Sequence, residues 1–176
     1  MTLRFCTHCW QEQPAQISVC AHCGAPVAGP EGNGVPYTEK LLQTLRGADA
    51  EASARAALIL GRIGDQRDER IGRALITALR TDPVVDLRVD LNVQVAAALA
   101  LAELDICEAS EALSALAVRD DTPLLSGLCA IEALTELAHN GCAQATWDLE
   151  RIAREAGRGA LQMEASRGLA RLNEPG

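Results

Sequence analysis

One helical pattern recurs four times in this chain and constrains its fold more than any other feature. Four segments align without gaps and share alanine at the fifth position, leucine at the ninth, and isoleucine or leucine at the twelfth: Ala52–Asp65, Val93–Ile106, Ser126–His139 and Leu161–Glu174. Positions 1, 5, 9 and 12 lie on one face of an α-helix. The four segments therefore predict four amphipathic helices that bury equivalent faces.

A further helix is predicted before each aligned segment, so that the helices come in pairs. Apolar residues three apart mark these first helices: Leu42 and Leu45, Ile76 and Leu79, Leu113 and Leu116, Leu149 and Ile152. The ninth-position leucines of the second helices are Leu60, Leu101, Leu134 and Leu169, which are 41, 33 and 35 residues apart. Helix pairs at this period are typical of an α-α superhelical solenoid, in which each pair buries its apolar face against its neighbours. We expect about four pairs in residues 37–176.

The repeated segments resemble a known class of helical repeat. Ala54–Asp65 and Val93–Leu104 are similar to the second helix of HEAT-like repeats of the kind found in phycobilin lyases. The resemblance covers about residues 37–173 and implies a mainly α, HEAT-like fold. Aromatic residues make up 2% of the chain, which excludes most β-sandwiches and barrels, because their strands favour aromatic and β-branched residues.

Two local features refine the prediction for the second helices. Asp49 and Asp90 each stand three residues before an aligned segment and are predicted N-caps. The second repeat contains extra residues, and Pro83 disfavours helix at Asp82. We therefore expect an extended, protruding loop of about eight residues over Asp82–Val89, where apolar and charged residues alternate.

The N-terminal residues predict a metal-binding module. Two Cys-x-x-Cys pairs, Cys6 with Cys9 and Cys20 with Cys23, are separated by ten residues. This spacing is typical of one tetrahedral four-thiolate site, which is structural because it leaves no open coordination position. It resembles a zinc ribbon with one structural Zn²⁺; iron in a rubredoxin-like site and a redox-active pair are the alternatives. We place the ribbon in residues 1–28 and a Pro- and Gly-rich linker in residues 29–36.

The remaining cysteines are interpreted from the expected compartment. The N-terminus has no apolar signal segment, and the longest apolar run, Val95–Ala102, is too short to cross a membrane. We therefore expect a cytoplasmic protein without disulfides. Cys107, Cys129 and Cys142 are then predicted to be small core residues.

Charge and histidine content limit the functions that the chain can have. The formal net charge is −8, and residues 82–136 hold eleven acidic residues against two arginines. This balance makes nucleic-acid binding unlikely on electrostatic grounds, since phosphate neutralisation needs a basic surface. The helical region has a single histidine, His139, so no nucleophile–base–orienter set can be assembled. We predict no catalytic residues and no enzymatic activity.

The second helices also predict a binding face opposite the buried one. Positions 3, 7 and 11 place apolar and acidic residues on this face: Leu58, Val95, Leu99, Glu103, Leu128, Glu132 and Glu136. The four apolar residues form a stripe, and the three glutamates border it. Such a stripe is typical of a protein interface. Burial of these residues between repeats, or coverage by the ribbon or linker, are the alternatives.

Together these features favour a non-enzymatic interaction scaffold or adaptor that binds a protein with basic flanks. The resemblance to phycobilin lyases implies an alternative, an accessory or lyase-like factor acting on a prosthetic group or its carrier protein. A nucleic-acid-associated zinc-ribbon protein is the weaker alternative.

Overall fold

The computed structural model describes residues 3–6, 11–14, 16–25, 37–80 and 87–173. This part of the chain is mainly α, as the sequence predicts. Its two short strands are β1 (Leu3–Phe5) and β2 (Glu12–Pro14). Its eight α-helices are α1 (Tyr37–Leu45), α2 (Ala50–Ile63), α3 (Glu69–Leu79), α4 (Leu87–Glu103), α5 (Ser110–Val118), α6 (Leu124–His139), α7 (Ala143–Glu155) and α8 (Gly159–Leu172).

The helices form two series, in each of which every helix contacts the next. The predicted second helices α2, α4, α6 and α8 contact each other in sequence order, and so do α1, α3, α5 and α7. Each odd-numbered helix also contacts the even-numbered helix that follows it. One apolar cluster runs through all eight helices, so every repeated unit contributes to a single continuous core.

The predicted buried face of the second helices is buried. The four fifth-position alanines and the ninth-position leucines of α2, α4 and α6 are inaccessible to solvent. The exceptions are Ile63, which ends α2 and is 41% exposed, and four half-buried residues: Ala52, Val93, Leu169 and Leu172. Alanine at these positions keeps the helices close together, since only a methyl group separates the two backbones.

The N-cap and loop predictions have mixed outcomes. Asp49 is the N-cap of α2, and its carboxylate accepts a hydrogen bond from the Ala52 amide at 3.0 Å. Asp90 is not a cap, because α4 already begins at Leu87. The predicted extended chain at Leu87–Val89 is therefore wrong, whereas Asp82–Asp86 lie outside the described residues. Residues added to the end of an existing helix each gain a hydrogen bond without a new nucleation cost, and this outweighs a short apolar–polar alternation.

A small antiparallel strand pair precedes the helices and contacts them. Leu3 pairs with Pro14 and Phe5 with Glu12. The Phe5 side chain packs against the helical core, and the Tyr37 hydroxyl at the start of α1 donates a hydrogen bond to the Phe5 carbonyl at 3.3 Å. The N-terminal module is therefore held against the helices by apolar packing and a hydrogen bond.

A disulfide joins Cys107 to Cys142, with their Cα atoms 5.7 Å apart. Cys107 begins a short 3-10 turn before α5, and Cys142 is the N-cap of α7. The prediction that these residues are unbridged core cysteines is wrong. It was based on compartment, whereas the packing of α5 on α7 brings the starts of both helices together. Cys129, on α6, is a free thiol.

Helices α2 and α4 approach closely at Gly61. A Cβ atom at this position would lie 2.8 Å from the Cα atom and 3.0 Å from the Cβ atom of Ala100. Neighbouring non-bonded carbon atoms do not approach so closely, so this crossing requires glycine. Gly168 has a similar role at the crossing of α8 and α6, where a Cβ atom would overlap the Thr135 hydroxyl.

Gly61→Ala should destabilise the fold, although alanine is the better helix former by about 1 kcal/mol. The new methyl group overlaps the α4 backbone, and the two helices must separate, at a cost of roughly 1–3 kcal/mol. Gly159→Ala is the matched control, because a Cβ atom added to this helical glycine would meet no other atom within 4 Å. Urea denaturation, monitored by circular dichroism, gives the free energy of unfolding of both variants. A Gly61→Ala protein as stable as the control would contradict the close approach.

Removing the disulfide should also lower the free energy of unfolding. A bridge spanning 35 residues restricts the unfolded chain, and its loss costs about 4 kcal/mol on the chain-entropy estimate. We expect this loss for Cys107→Ser under oxidising conditions, and little change for Cys129→Ser. Adding a reductant should abolish the difference between the Cys107→Ser and wild-type proteins. Equal unfolding midpoints of the two serine variants without reductant would show that the bridge contributes nothing.

Candidate metal centre and binding groove

Three of the four predicted metal ligands lie together. The sulfur atoms of Cys6, Cys20 and Cys23 all lie within 4.8 Å of one another, and those of Cys6 and Cys23 are 3.7 Å apart. A tetrahedral metal with metal–sulfur bonds of about 2.3 Å holds its sulfurs about 3.8 Å apart. The cluster can therefore hold a metal ion. Cys9, the fourth predicted ligand, lies outside the described residues.

The turn that presents Cys20 and Cys23 is closed by backbone hydrogen bonds. The Cys20 amide donates to the Ala25 carbonyl at 2.8 Å, and the Gly24 amide donates to the Cys20 carbonyl at 3.0 Å. Gly24 adopts a φ of +70°, which glycine tolerates and other residues rarely adopt. Glycine at this position lets the chain turn directly after Cys23.

Gln13 supports the cluster and is a residue that the sequence analysis missed. Its side-chain amide donates a hydrogen bond to the Cys20 sulfur at 3.1 Å, and its carbonyl oxygen accepts one from the Ala21 amide at 3.3 Å. Gln13 is 4% exposed and points inward from the middle of β2, between two exposed residues. A buried amide that donates to a thiolate stabilises its negative charge and fixes its orientation.

A groove of about 800 Å³ lies between the N-terminal strands and the second helices. The strand module contributes Phe5 and Gln11 to its lining. The helices contribute the other residues, from α2, α4, α6 and the residue after α6: Arg55, Leu58, Ile59, Arg62, Leu99, Ala102, Glu103, Glu136 and Asn140. The lining combines apolar side chains with charges of both signs.

Four residues of the predicted binding face line this groove. Leu58 and Leu99 are 42% and 39% exposed, and Glu103 and Glu136 are exposed beside them. The two leucines occupy the same repeat position on two helices that contact each other. Their exposure agrees with the predicted facing of positions 3, 7 and 11.

The other three predicted residues lie apart from the groove lining. Val95 and Leu128 are half-buried, and Leu128 packs against the helical core. Glu132 is paired with Arg171 of α8 through two hydrogen bonds, at 3.1 and 2.8 Å. These bonds lower the pKa of Glu132 and raise that of Arg171. Glu132 is therefore paired within the chain, whereas its predicted role in partner binding stays a prediction.

Arginines on α2 contribute charges to the groove that the sequence analysis missed. Arg55 forms an ion pair with Glu51, one turn earlier. Arg62 occupies the same repeat position on α2 as Glu103 on α4 and Glu136 on α6, and it forms no ion pair within the described part of the chain. A charge total over residues 82–136 does not include this arginine, which precedes that stretch. The groove is bipolar and not uniformly acidic.

A second cavity, of about 730 Å³, lies on the first-helix side of the molecule beside the disulfide. Its most buried members are Ser110 and Asp148, which are joined by a 2.8 Å hydrogen bond between α5 and α7. The Arg151 guanidinium bonds Asp148 and Ser114 and lies 5.5 Å from the ring centre of Trp147. Because the Ser110–Asp148 and Arg151–Ser114 hydrogen bonds both join α5 to α7, this cluster ties the third helix pair to the fourth.

None of the helices in the described regions is both long enough and apolar enough to span a membrane. Comparisons of the chain with protein families, with curated proteins and with solved structures found no match. The function is therefore inferred from the geometry of the two sites.

Gln13→Leu should weaken metal binding by about 10- to 100-fold, the usual effect of losing a group that hydrogen-bonds a metal ligand. The side-chain size is similar, but the Cys20 sulfur loses its side-chain donor and keeps the longer hydrogen bond from the His22 amide, at 3.4 Å. Gln16→Leu is the control, because Gln16 is exposed on the same module. Competition of Co²⁺ or Zn²⁺ against a chromophoric chelator gives both affinities. Equal affinities in the two variants would show that the Gln13 bond does not support the metal centre.

Proposed function

We propose that this chain is a non-enzymatic interaction module, in which a HEAT-like α-solenoid of four helix pairs carries a structural zinc ribbon. Two observations support the solenoid: first helices contact first helices in series, and second helices contact second helices in series. Equivalent residues of the repeats also share burial on one face. The HEAT-like resemblance of the second helices supports the same arrangement.

The metal that best fits the N-terminal cluster is a single Zn²⁺ bound by Cys6, Cys9, Cys20 and Cys23. The sulfur separation of 3.7 Å and the sequence spacing of the two pairs support four-thiolate tetrahedral coordination. Iron fits the same geometry, and elemental analysis of the purified protein distinguishes the two. With four thiolates bound, the ion has no open position for a substrate, and its contribution is to folding.

The groove is the proposed binding site for a segment of a partner protein. The observation that carries this proposal is the exposure of Leu58 and Leu99, which line the groove from the same repeat position of two contacting helices. Apolar side chains on a concave surface, together with charged ones, are typical of peptide-binding grooves. Glu103 and Glu136 can form ion pairs with a basic residue of the partner, and Arg62 can form one with an acidic residue.

The expected partner segment therefore has a defined chemistry. It carries two apolar side chains close together, with Lys or Arg on one side and Asp or Glu on the other. The basic flank agrees with the sequence prediction, and the acidic flank follows from the position of Arg62. The wrong charge order would place like charges together, so the groove also fixes the direction of the bound segment.

Selection of peptides from a random displayed library tests this function. The wild-type protein should enrich sequences with paired apolar residues and oppositely charged flanks. Leu99→Glu should lose these peptides by at least tenfold in affinity while keeping its helix content. The matched control is Leu125→Glu, which changes a leucine that is 55% exposed at the start of α6 and does not line the groove.

Two results would overturn the proposed function. Either the wild-type protein enriches no consensus, or the Leu99→Glu protein retains the same peptides as the wild type. Loss of helical structure in Leu99→Glu would instead show that Leu99 is a core residue, and the more conservative Leu58→Ser and Leu99→Ser variants then repeat the affinity comparison.

A second candidate function is supported by the size of the groove. A volume of about 800 Å³ lies within the range of small-molecule sites, and a lining of apolar side chains with arginines suits a carboxylated prosthetic group. The chain would then act as an accessory factor for that group or its carrier protein. Absorbance titration with a linear tetrapyrrole tests this candidate, and a spectrum unchanged by the protein would reject it.

A further inference from the structure

The groove and the metal centre share a short stretch of chain. Phe5 and Gln11 line the groove, and Phe5 directly precedes the metal ligand Cys6. The Cys6 amide donates a 2.9 Å hydrogen bond to the Gln11 carbonyl, so both groove residues are joined to the metal ligand through the backbone. We call the side of the groove formed by Phe5 and Gln11 the wall. Any change that displaces Cys6 also displaces this wall.

The described residues of the N-terminal module bury few apolar side chains of their own. Among these residues the buried cluster consists of Cys6 and Cys20, with Ile17 and Ala25 packed against them. So few apolar residues cannot offset the conformational entropy of ordering the module. In small metal domains of this kind the binding free energy of the metal drives folding. The ordered position of the wall therefore depends on the metal.

Phe5 attaches the wall to the helices. The Phe5 ring packs against the helical core, and the Phe5 carbonyl accepts the hydrogen bond from Tyr37. Phe5 thus belongs to the helical cluster, whereas the adjacent Cys6 belongs to the metal cluster. This residue pair connects metal binding to the position of the groove wall.

We propose that the binding groove is a composite site, which the ribbon completes only when its metal is bound. The partner segment is held between Phe5 and Gln11 on one side and Leu58 and Leu99 on the other. Metal loading then controls partner binding through the presence of the wall, and the helices themselves remain folded. This inference rests on the proposed function, because it assumes that the groove receives a partner segment.

Methyl NMR of the full chain tests the composite groove without a partner. The protein is labelled at leucine methyl groups, stripped with a chelator and titrated with Zn²⁺ alone. We expect the Leu58 and Leu99 signals to shift and to reach their final positions at one equivalent. The control is Leu149, which is fully buried in α7 and should not respond.

Phe5→Ala separates metal binding from wall formation. This variant keeps every cysteine, so it should still bind one equivalent of Zn²⁺, yet the Leu58 and Leu99 signals should no longer respond. Tyr37→Phe, which removes only the hydroxyl, should reduce the response. Leu58 and Leu99 signals indifferent to Zn²⁺ in the wild type, or unchanged responses in Phe5→Ala, would overturn the proposal.

A peptide selected on the metal-loaded protein distinguishes failure of this inference from failure of the proposed function. Its affinity should fall at least tenfold when the metal is removed, while circular dichroism shows the helices intact. Equal affinity with and without metal would overturn metal control and leave the peptide-binding function standing. If the Leu58 and Leu99 methyl signals respond to Zn²⁺ but the selection yields no peptide, the metal-dependent wall stands and the peptide-binding function is rejected.

Discussion

The close contact between the second helices is the constraint on which the rest of the structure depends. Helices α2 and α4 approach so closely at Gly61 that a methyl group at that residue would overlap Ala100. Small residues at the crossing let the two backbones pack directly against each other. Dispersion contacts between the backbones then provide the attraction that large side chains provide in most helical cores. The same closeness brings together the two helices that carry Leu58 and Leu99, so the packing of the core also determines the spacing of these groove residues.

Much of the helical architecture could be predicted because it depends on local periodicity. A residue every three or four positions reports which face of a helix is buried, and the four alignments predicted the second helices and the exposure of Leu58 and Leu99. Asp49 and Gly24 could likewise be interpreted from local rules for caps and turns. These features depend on neighbours within a few residues, and the sequence contains all of those neighbours.

The features that could not be predicted depend on contacts between distant segments. The Cys107–Cys142 bridge, the Gln13–Cys20 hydrogen bond and the Arg171–Glu132 pair each require the packing of separate elements to be known. A charge total over a stretch of sequence cannot reveal that one glutamate is paired with an arginine 39 residues away. The contribution of Phe5 to the groove belongs to the same class, since no local pattern connects the first strand to the helices.

The disulfide, considered together with the metal centre, has a consequence for how the protein is made. The described part of the chain carries a disulfide and, apart from it, a cluster of three cysteine sulfurs that could hold a metal ion. Seven thiols in one unfolded chain offer many wrong pairs, and a metal bound at the cluster would withdraw its ligands from oxidation. With Cys9 as the proposed fourth ligand, an ion that binds before the chain meets an oxidant would leave only Cys107, Cys129 and Cys142 to pair.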